Sequence, residues 1–306
     1  MDIGKTLHFF RKSRQLKQRE LLPNSAASVY SKIESNKQTL KIPELVDILE
    51  TLSVTPGEFF EYASFEKDQQ QFRQLFQKCS EDPKNEKLKQ ALCAYDFQWN
   101  QSKEKTLRER SNYIAIHVFF STYWEEIKPL DQEQLTEIFL LLHAKNDFLQ
   151  YDYIILANTI FLFDEGQTAQ LLKQAFPLAE EQLKNHTTRK FIKSLFNNLI
   201  TVRLHQGEYK QANDCLLLAQ KQTMLIDEID YKIVVFYLEN LLKYILTGRY
   251  FFQKKIYDCI SLLNEIGEIE FAKNIQAEIE SFTLKEENFP MKSTANTILG
   301  TTKNYE

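Results

Sequence analysis

The residues of this chain best suited to chemistry sit together at 27–34, and the chemistry they suit is recognition of base edges, not bond-making. Ala27, Ser28, Ser31 and Lys32 fall on one side of a short helical pattern. Tyr30 and Ile33, three apart, can share the opposite, buried side. A helix entering a DNA major groove needs small residues for close approach, hydroxyls that pair with either kind of base edge, and a long cation that reaches guanine. Asn36 follows as a left-handed helix stop. Bond-making signatures are absent: there is no G-x-x-x-x-G-K, no G-x-G-x-x-G, no G-x-S-x-G and no H-E-x-x-H. His8, His117, His143, His186 and His205 are far apart and lack ligand spacing. Cys79, Cys93, Cys215 and Cys259 form no C-x-x-C pair and read as free thiols of a reducing compartment. The expectation is a non-enzyme with no cofactor and no metal centre.

Charge supplies the second constellation. The whole chain carries −4, which by itself argues against a polyanion partner. The distribution reverses that. Residues 1–41 hold nine Lys and Arg against Asp2, Glu20 and Glu34, a balance of +6, whereas residues 42–62 hold five acids and no base. Counterion release needs a local basic patch, and net charge is immaterial to it. Arg11, Arg14, Lys17, Gln18, Arg19 and Lys37 therefore join Ala27, Ser28, Ser31 and Lys32 as candidate DNA contacts, the former set on phosphates.

Positioning these groups falls to helical patterns at 3–16 and about 17–22 before the recognition helix, and at 43–52 and 55–62 after it. The result is a compact five-helix unit. Residues 1–62 resemble the XRE/Cro-type helix-turn-helix domain. Gly4-Lys5-Thr6-Leu7 with Arg11-Lys12-Ser13-Arg14, then Ile42-Pro43-Glu44-Leu45, then Leu52-Ser53-Val54-Thr55-Pro56-Gly57-Glu58-Phe59-Phe60, are similar to the head of the Rgg regulators. Ser28-Val29-Tyr30 with Lys32 and Glu34, and Glu58-Phe59-Phe60-Glu61, are similar to PrgX-type pheromone receptors. From Gln18 to Glu34 is 16 residues, one or two fewer than many members have. The second helix should then be short, or its turn tight, around Leu22-Pro23-Asn24.

Beyond residue 62 the pattern is helical throughout: about 65–80, 84–102, 105–126, 131–146, 149–163, 167–184, 188–206, 209–223, 228–246, 250–265 and 268–282. Seven glycines and seven prolines in 306 residues favour long helices with short connections over turn-rich sheets. Gly166, Gly207 and Gly248 recur every 41 residues, each expected to end one helix and open the next. Gly207-x-Tyr209-x-x-Ala212 with Ala219 resembles the tetratricopeptide repeat. The fold class expected is all-α: a five-helix head over residues 1–64, then a tetratricopeptide-like right-handed solenoid over 65–282, then a tail or arm at 283–306.

Asn158, Asn197, Asn198 and Asn240 fall in the first helix of successive hairpins. An amide both donates and accepts, so it can pair with the backbone of an extended peptide without reading its sequence. The resemblance implies that such asparagines clamp a peptide, with Thr201, Phe236 and Tyr237 beside them. It further implies a cytoplasmic regulator bound to a two-fold operator in double-stranded DNA as a homodimer or higher oligomer, answering to a short apolar signalling peptide. A helix-turn-helix regulator whose repeats bind a protein instead is the alternative. No apolar run approaches the roughly 18 residues of a membrane span.

Overall fold

The computed structural model describes residues 3–21, 27–63, 67–100, 105–178, 186–222, 225 and 228–283. Every regular element among them is helical. Contacts divide the chain into two compact units, Met1–Gln74 and Leu75–Glu306. The division falls inside a helix instead of at residue 64, because α5 (Lys67–Glu81) runs through it. The proposed tail beyond residue 283 lies outside the described residues.

In the first unit α1 (Ile3–Ser13) is followed by a 3-10 turn (Gln18–Glu20), then α2 (Ala27–Glu34), α3 (Ile42–Leu52) and α4 (Pro56–Tyr62). Helix α1 stops short of residue 16 because Gln15 adopts φ +58°. Where a second helix was expected only the 3-10 turn appears among the described residues, in line with the shortened Gln18–Glu34 spacing. Residues 22–26, where the tight turn was expected, lie outside the described residues. Leu7, Phe10, Tyr30, Ile33, Ile48, Leu49, Leu52 and Phe59 form the core. Helices α1 and α2 cross so tightly that a Cβ on Gly4 would sit 2.4 Å from the Glu34 carbonyl oxygen. The Gly4 N–H also donates to Asn36 Oδ1 at 3.0 Å.

The second unit continues with α6 (Glu86–Asn100), α7 (Leu107–Phe120), α8 (Gln132–His143), α9 (Gln150–Thr159) and α10 (Glu165–Ala175). Then come α11 (His186–His205), α12 (Tyr209–Gln220), α13 (Ile229–Thr247), α14 (Tyr250–Glu265) and α15 (Ile269–Thr283). Helices α7, α9, α11, α13 and α15 pack successively on one another, while α11–α12 and α13–α14 form hairpins. Helix α9 has no solvent face: every residue from Asp152 to Ile160 is at most 3% exposed. The Tyr153 hydroxyl donates to the Ala175 carbonyl at 3.0 Å, and Tyr231 to Ala219 at 2.9 Å. Each thereby satisfies a carbonyl at or near the end of a neighbouring helix.

The glycine period is realised only in part. Gly207 and Gly248 adopt φ +75° and +64° at helix ends, and Gly267 joins them at +89°. Gly166 instead lies inside the first turn of α10, without a left-handed φ. Its helix is started by Asp164, whose carboxylate accepts from the Gln167 N–H at 2.8 Å. Helix α7 ends at Phe120, short of residue 126, because Trp124 folds back to stack on Phe120 at 4.0 Å and donates to the Pro83 carbonyl at 2.8 Å. Helix α10 ends at Ala175, before Phe176-Pro177, and residues 179–185 are not described.

The crossing of α1 and α2 makes a paired prediction. Gly4→Ala forces backbone apart and should destabilise the head by about 1–3 kcal/mol. Gly57→Ala, with nothing within 4 Å of its Cβ position, should be neutral or stabilising by up to about 1 kcal/mol. Urea unfolding of the two variants side by side checks both signs.

Candidate functional site

Helix α2 presents two unlike sides. Tyr30 and Ile33 are 0% and 2% exposed, whereas Ser28, Ser31 and Lys32 face solvent. Ala27 belongs to the helix, but its side chain is not described. Asn36 takes φ +57°, and the Lys37 N–H donates to the Lys32 carbonyl at 2.8 Å, closing the helix in a left-handed cap.

What holds α2 in place is a buried ion pair. Arg11 Nε donates to Glu34 Oε1 at 2.6 Å, and its Nη2 to Oε2 at 2.9 Å. Both side chains are over nine-tenths buried. Gln18 Nε2 donates to Glu34 Oε2 at 2.8 Å, and His8 Nδ1 lies 3.1 Å from the same oxygen. Burial alone would raise the Glu34 pKa; the hydrogen bonds from Arg11, Gln18 and His8 outweigh it and hold the carboxyl below its usual range. The same hydrogen bond raises Arg11 against the opposing effect of burial. Glu34 ends α2, where the helix dipole disfavours an anion. Arg11 offsets that field.

The candidate DNA contacts therefore divide. Lys17, Arg19, Ser28, Ser31, Lys32 and Lys37 are solvent-facing or nearly so. Arg11 does not face outward as expected: its guanidinium is enclosed by Glu34 and by the Leu16 carbonyl at 3.1 Å. Gln18 is likewise committed to Glu34. Arg14 is exposed but donates to the Leu52 and Ser53 carbonyls at 3.0 and 3.2 Å, bracing the end of α3.

In the second unit the expected peptide contacts lie on the layer of α9, α11 and α13, mostly enclosed. Asn198 Nδ2 donates to the Ala157 carbonyl at 3.3 Å. Asn197 Oδ1 accepts from the Tyr237 hydroxyl at 2.9 Å. Asn240 Nδ2 turns back on the Phe236 carbonyl at 2.7 Å. Asn158 is 0% exposed, and neither its Oδ1 nor its Nδ2 has a hydrogen-bond partner. Thr201 Oγ1 is buried and unpartnered as well. Burial, with the Glu278 carboxylate adding, raises the Tyr237 pKa well above its ordinary value, so its hydroxyl donates. Phe236 alone of the seven is exposed, at 39%. It lines an open cleft of about 510 Å³ with Lys232 and Ile233 of α13 and Lys255, Asp258, Cys259 and Leu262 of α14.

Sequence reasoning missed the two lysines of this cleft, and also Glu278. The latter had a signal: it follows Tyr237 by 41 residues, as Asn198 follows Ala157. Among the described residues no His, Cys, Asp and Glu cluster could hold a metal ion, and no helix is long and apolar enough to cross a membrane. Cys79 and Cys215 are buried and pushed up to about 12 and about 11 by burial. Thiolate chemistry is therefore suppressed there.

Two predictions follow from these bonds. Because Glu34 titrates lower folded than its ordinary value of 4.5, its stabilisation is complete above that value and is lost as pH falls through the folded one. Acid unfolding of the head monitored by circular dichroism should weaken in pH dependence below about pH 4.5 in Glu34→Gln. Asn158→Leu removes two unpaired buried amide atoms and should be neutral or stabilising by about 1–2 kcal/mol. Asn198→Ala removes the hydrogen bond to the Ala157 carbonyl and should cost about 1 kcal/mol. Opposite shifts in melting temperature are the expected reading.

The matches to other proteins cover most of the chain. Residues 96–277 match the family model described as HTH-type transcriptional regulator Rgg, C-terminal domain. No curated protein matches the sequence. Among solved structures, the PrgX/cCF10 complex aligns with a TM-score of 0.73 at 17% identity, covering 92% of this chain and 99% of that one. The SHP pheromone receptor Rgg2 of Streptococcus dysgalactiae gives 0.68 at 18%, covering 92% and 99%. A putative transcriptional regulator from Listeria monocytogenes EGD-e gives 0.74 at 18%, covering 93% and 98%. At such identities these structures establish a shared all-helical fold. The family model spans more than half of the sequence, and with it the chain belongs to the Rgg family of helix-turn-helix-type transcriptional regulators.

Proposed function

We propose that this chain is a DNA-binding transcription regulator of the cytoplasm whose helical-repeat domain binds a short apolar peptide and thereby changes operator affinity. The observation that carries the reading is the joining in one polypeptide of an Rgg C-terminal domain to a helix α2 pinned from behind by Arg11–Glu34 and offering Ser28, Ser31 and Lys32 to solvent. Pheromone-receptor structures of the same fold support the peptide half. Exposed apolar residues on α13 and α14 and just after α14, among them Ile229, Leu246, Tyr250, Phe251 and Ile266, favour self-association, and a two-fold DNA site calls for a dimer. A peptide that prefers one dimer geometry must change DNA affinity by the same coupling energy, typically ~1–3 kcal/mol. The cleft beside Phe236 is the open entry for apolar side chains. Each bonded asparagine uses one end of its amide internally, which leaves the other end to meet a backbone.

Arg19 and Lys37 should act as phosphate contacts. Substituting both by Ala should weaken binding to all duplexes alike and flatten the salt slope by about two per protomer, hence about four for a bound dimer, roughly one per lost contact. Lys32→Ala should relax preference at particular base pairs, worth about 1–3 kcal/mol of discrimination. Fluorescence titrations across salt and a selection from random DNA test these. An unchanged selected motif would remove α2 from the groove. Calorimetry with short apolar peptides against polar ones of equal length tests the effector, and a uniform absence of heat would favour a protein partner for the repeats.

A further inference from the structure

Asn197, Thr201 and His205 succeed one another every four residues along α11, making one polar row. Tyr237 of α13 closes one end through its bond to Asn197. Glu278 of α15 closes the other, its Oε1 lying 3.3 Å from His205 Nε2. The His205 ring stacks on Phe282 at 4.3 Å, which fixes it at this end.

Glu278 is the acid of this layer whose carboxylate accepts no hydrogen bond among the described residues. Asp152 Oδ2 accepts from the Leu149 N–H at 2.9 Å, and its buried Oδ1, also without a hydrogen bond, has Lys145 at 3.8 Å. Glu228 and Asp230 share Arg189 and Lys193. Glu239 pairs with Lys243. Glu278, with a side chain 20% exposed, has only His205 within ion-pair distance among the described residues. That contact misses hydrogen-bond geometry, so Oε1 is buried without a hydrogen bond. Thr201 Oγ1, one turn before His205, is the other buried oxygen of the row with no partner. A buried carboxylate oxygen without a donor is costly, and a donor supplied by a ligand recovers that cost.

We propose that Glu278, with Thr201, binds a primary ammonium of the peptide effector, its free amino terminus, and so sets the direction in which the peptide lies along α11. This rests on the peptide-binding reading above. An ammonium supplies three donors and a full charge, which suits two oxygens without a hydrogen bond. An acetylated terminus supplies one neutral donor and adds bulk.

The probe is the tightest binder selected by mass spectrometry from a pool of free-amine heptapeptides built of Leu, Ile, Val, Phe and Ala. Calorimetry then compares it with its acetylated form and with an acetylated form ending in lysine. The wild-type protein should prefer the free amine by about tenfold or more. Glu278→Gln should lower free-amine affinity about tenfold and erase the preference, with DNA binding and melting temperature little changed. Should Glu278→Gln fail to fold, Thr201→Val must reduce the same preference. Equal binding of the free and acetylated peptides, or a preference that survives in the folded variants, overturns the assignment while leaving peptide binding intact. Recovery of affinity by the lysine form at the opposite terminus would show that the ammonium does not set direction, and overturns that part. A pool with no binder overturns the peptide reading and this assignment together.

Discussion

A helix with no solvent face organises the second unit. Enclosing α9 on every side demands a segment that is apolar all round, and Tyr153-Ile154-Ile155-Leu156-Ala157 supplies it. Each large aliphatic or aromatic side chain so buried contributes about 1.5–3 kcal/mol. The same enclosure makes any polar group on α9 expensive, and it carries Asn158 and Thr159 at 0% exposure. Thr159 escapes by donating to the Ile155 carbonyl at 2.8 Å. Asn158 does not escape. Packing against α7 and α11 thus fixes where the layer can and cannot hold polar chemistry.

The head solves a related problem with charge. Its core is small, and α2 is short, so position must come from a few strong bonds. Arg11 and Glu34 provide two charge-assisted hydrogen bonds between the two closest helices, and Gln18 and His8 occupy the remaining acceptor capacity. A buried pair of this kind contributes modestly to net stability, since desolvation opposes it. Its value lies in geometry: it sets the rotation of α2, and hence which residues meet solvent.

How legible all this was depends on range. Helix existence and order could be read from periodicity because amphipathic spacing is local, and the turn signals at Gly207 and Gly248 are local too. Gly166 misled because a glycine in a first helical turn and a glycine at a helix end look alike in a string. The exposed side of α2 could be read from Tyr30 and Ile33. Arg11 and Gln18 were assigned to DNA because their partner, Glu34, lies 23 and 16 residues away. No local pattern distinguishes a lysine or arginine that faces phosphate from one that faces a carboxylate across a crossing. The asparagines were found by type and period, yet the bonds of Asn198 to Ala157 and of Asn197 to Tyr237 depend on how the helices meet.

Those internal bonds bear on where binding energy in the repeat layer can arise. A ligand that takes over Asn198 Nδ2 or Asn197 Oδ1 must displace the Ala157 carbonyl or the Tyr237 hydroxyl, so at those atoms one hydrogen bond replaces another and the net gain is small. Groups that make no hydrogen bond behave differently. Asn158, Thr201 Oγ1 and Glu278 Oε1 already bear the desolvation cost within the folded chain. A donor or acceptor delivered to any of them is gained without a bond being broken. Apolar burial at the Phe236 cleft would then supply affinity, the unpartnered oxygens would supply orientation, and the bonded asparagines would couple occupancy to the contact between α9 and α11. That last step gives a ligand differential free energy between two arrangements of the helices, which is what any effector must have to shift an equilibrium.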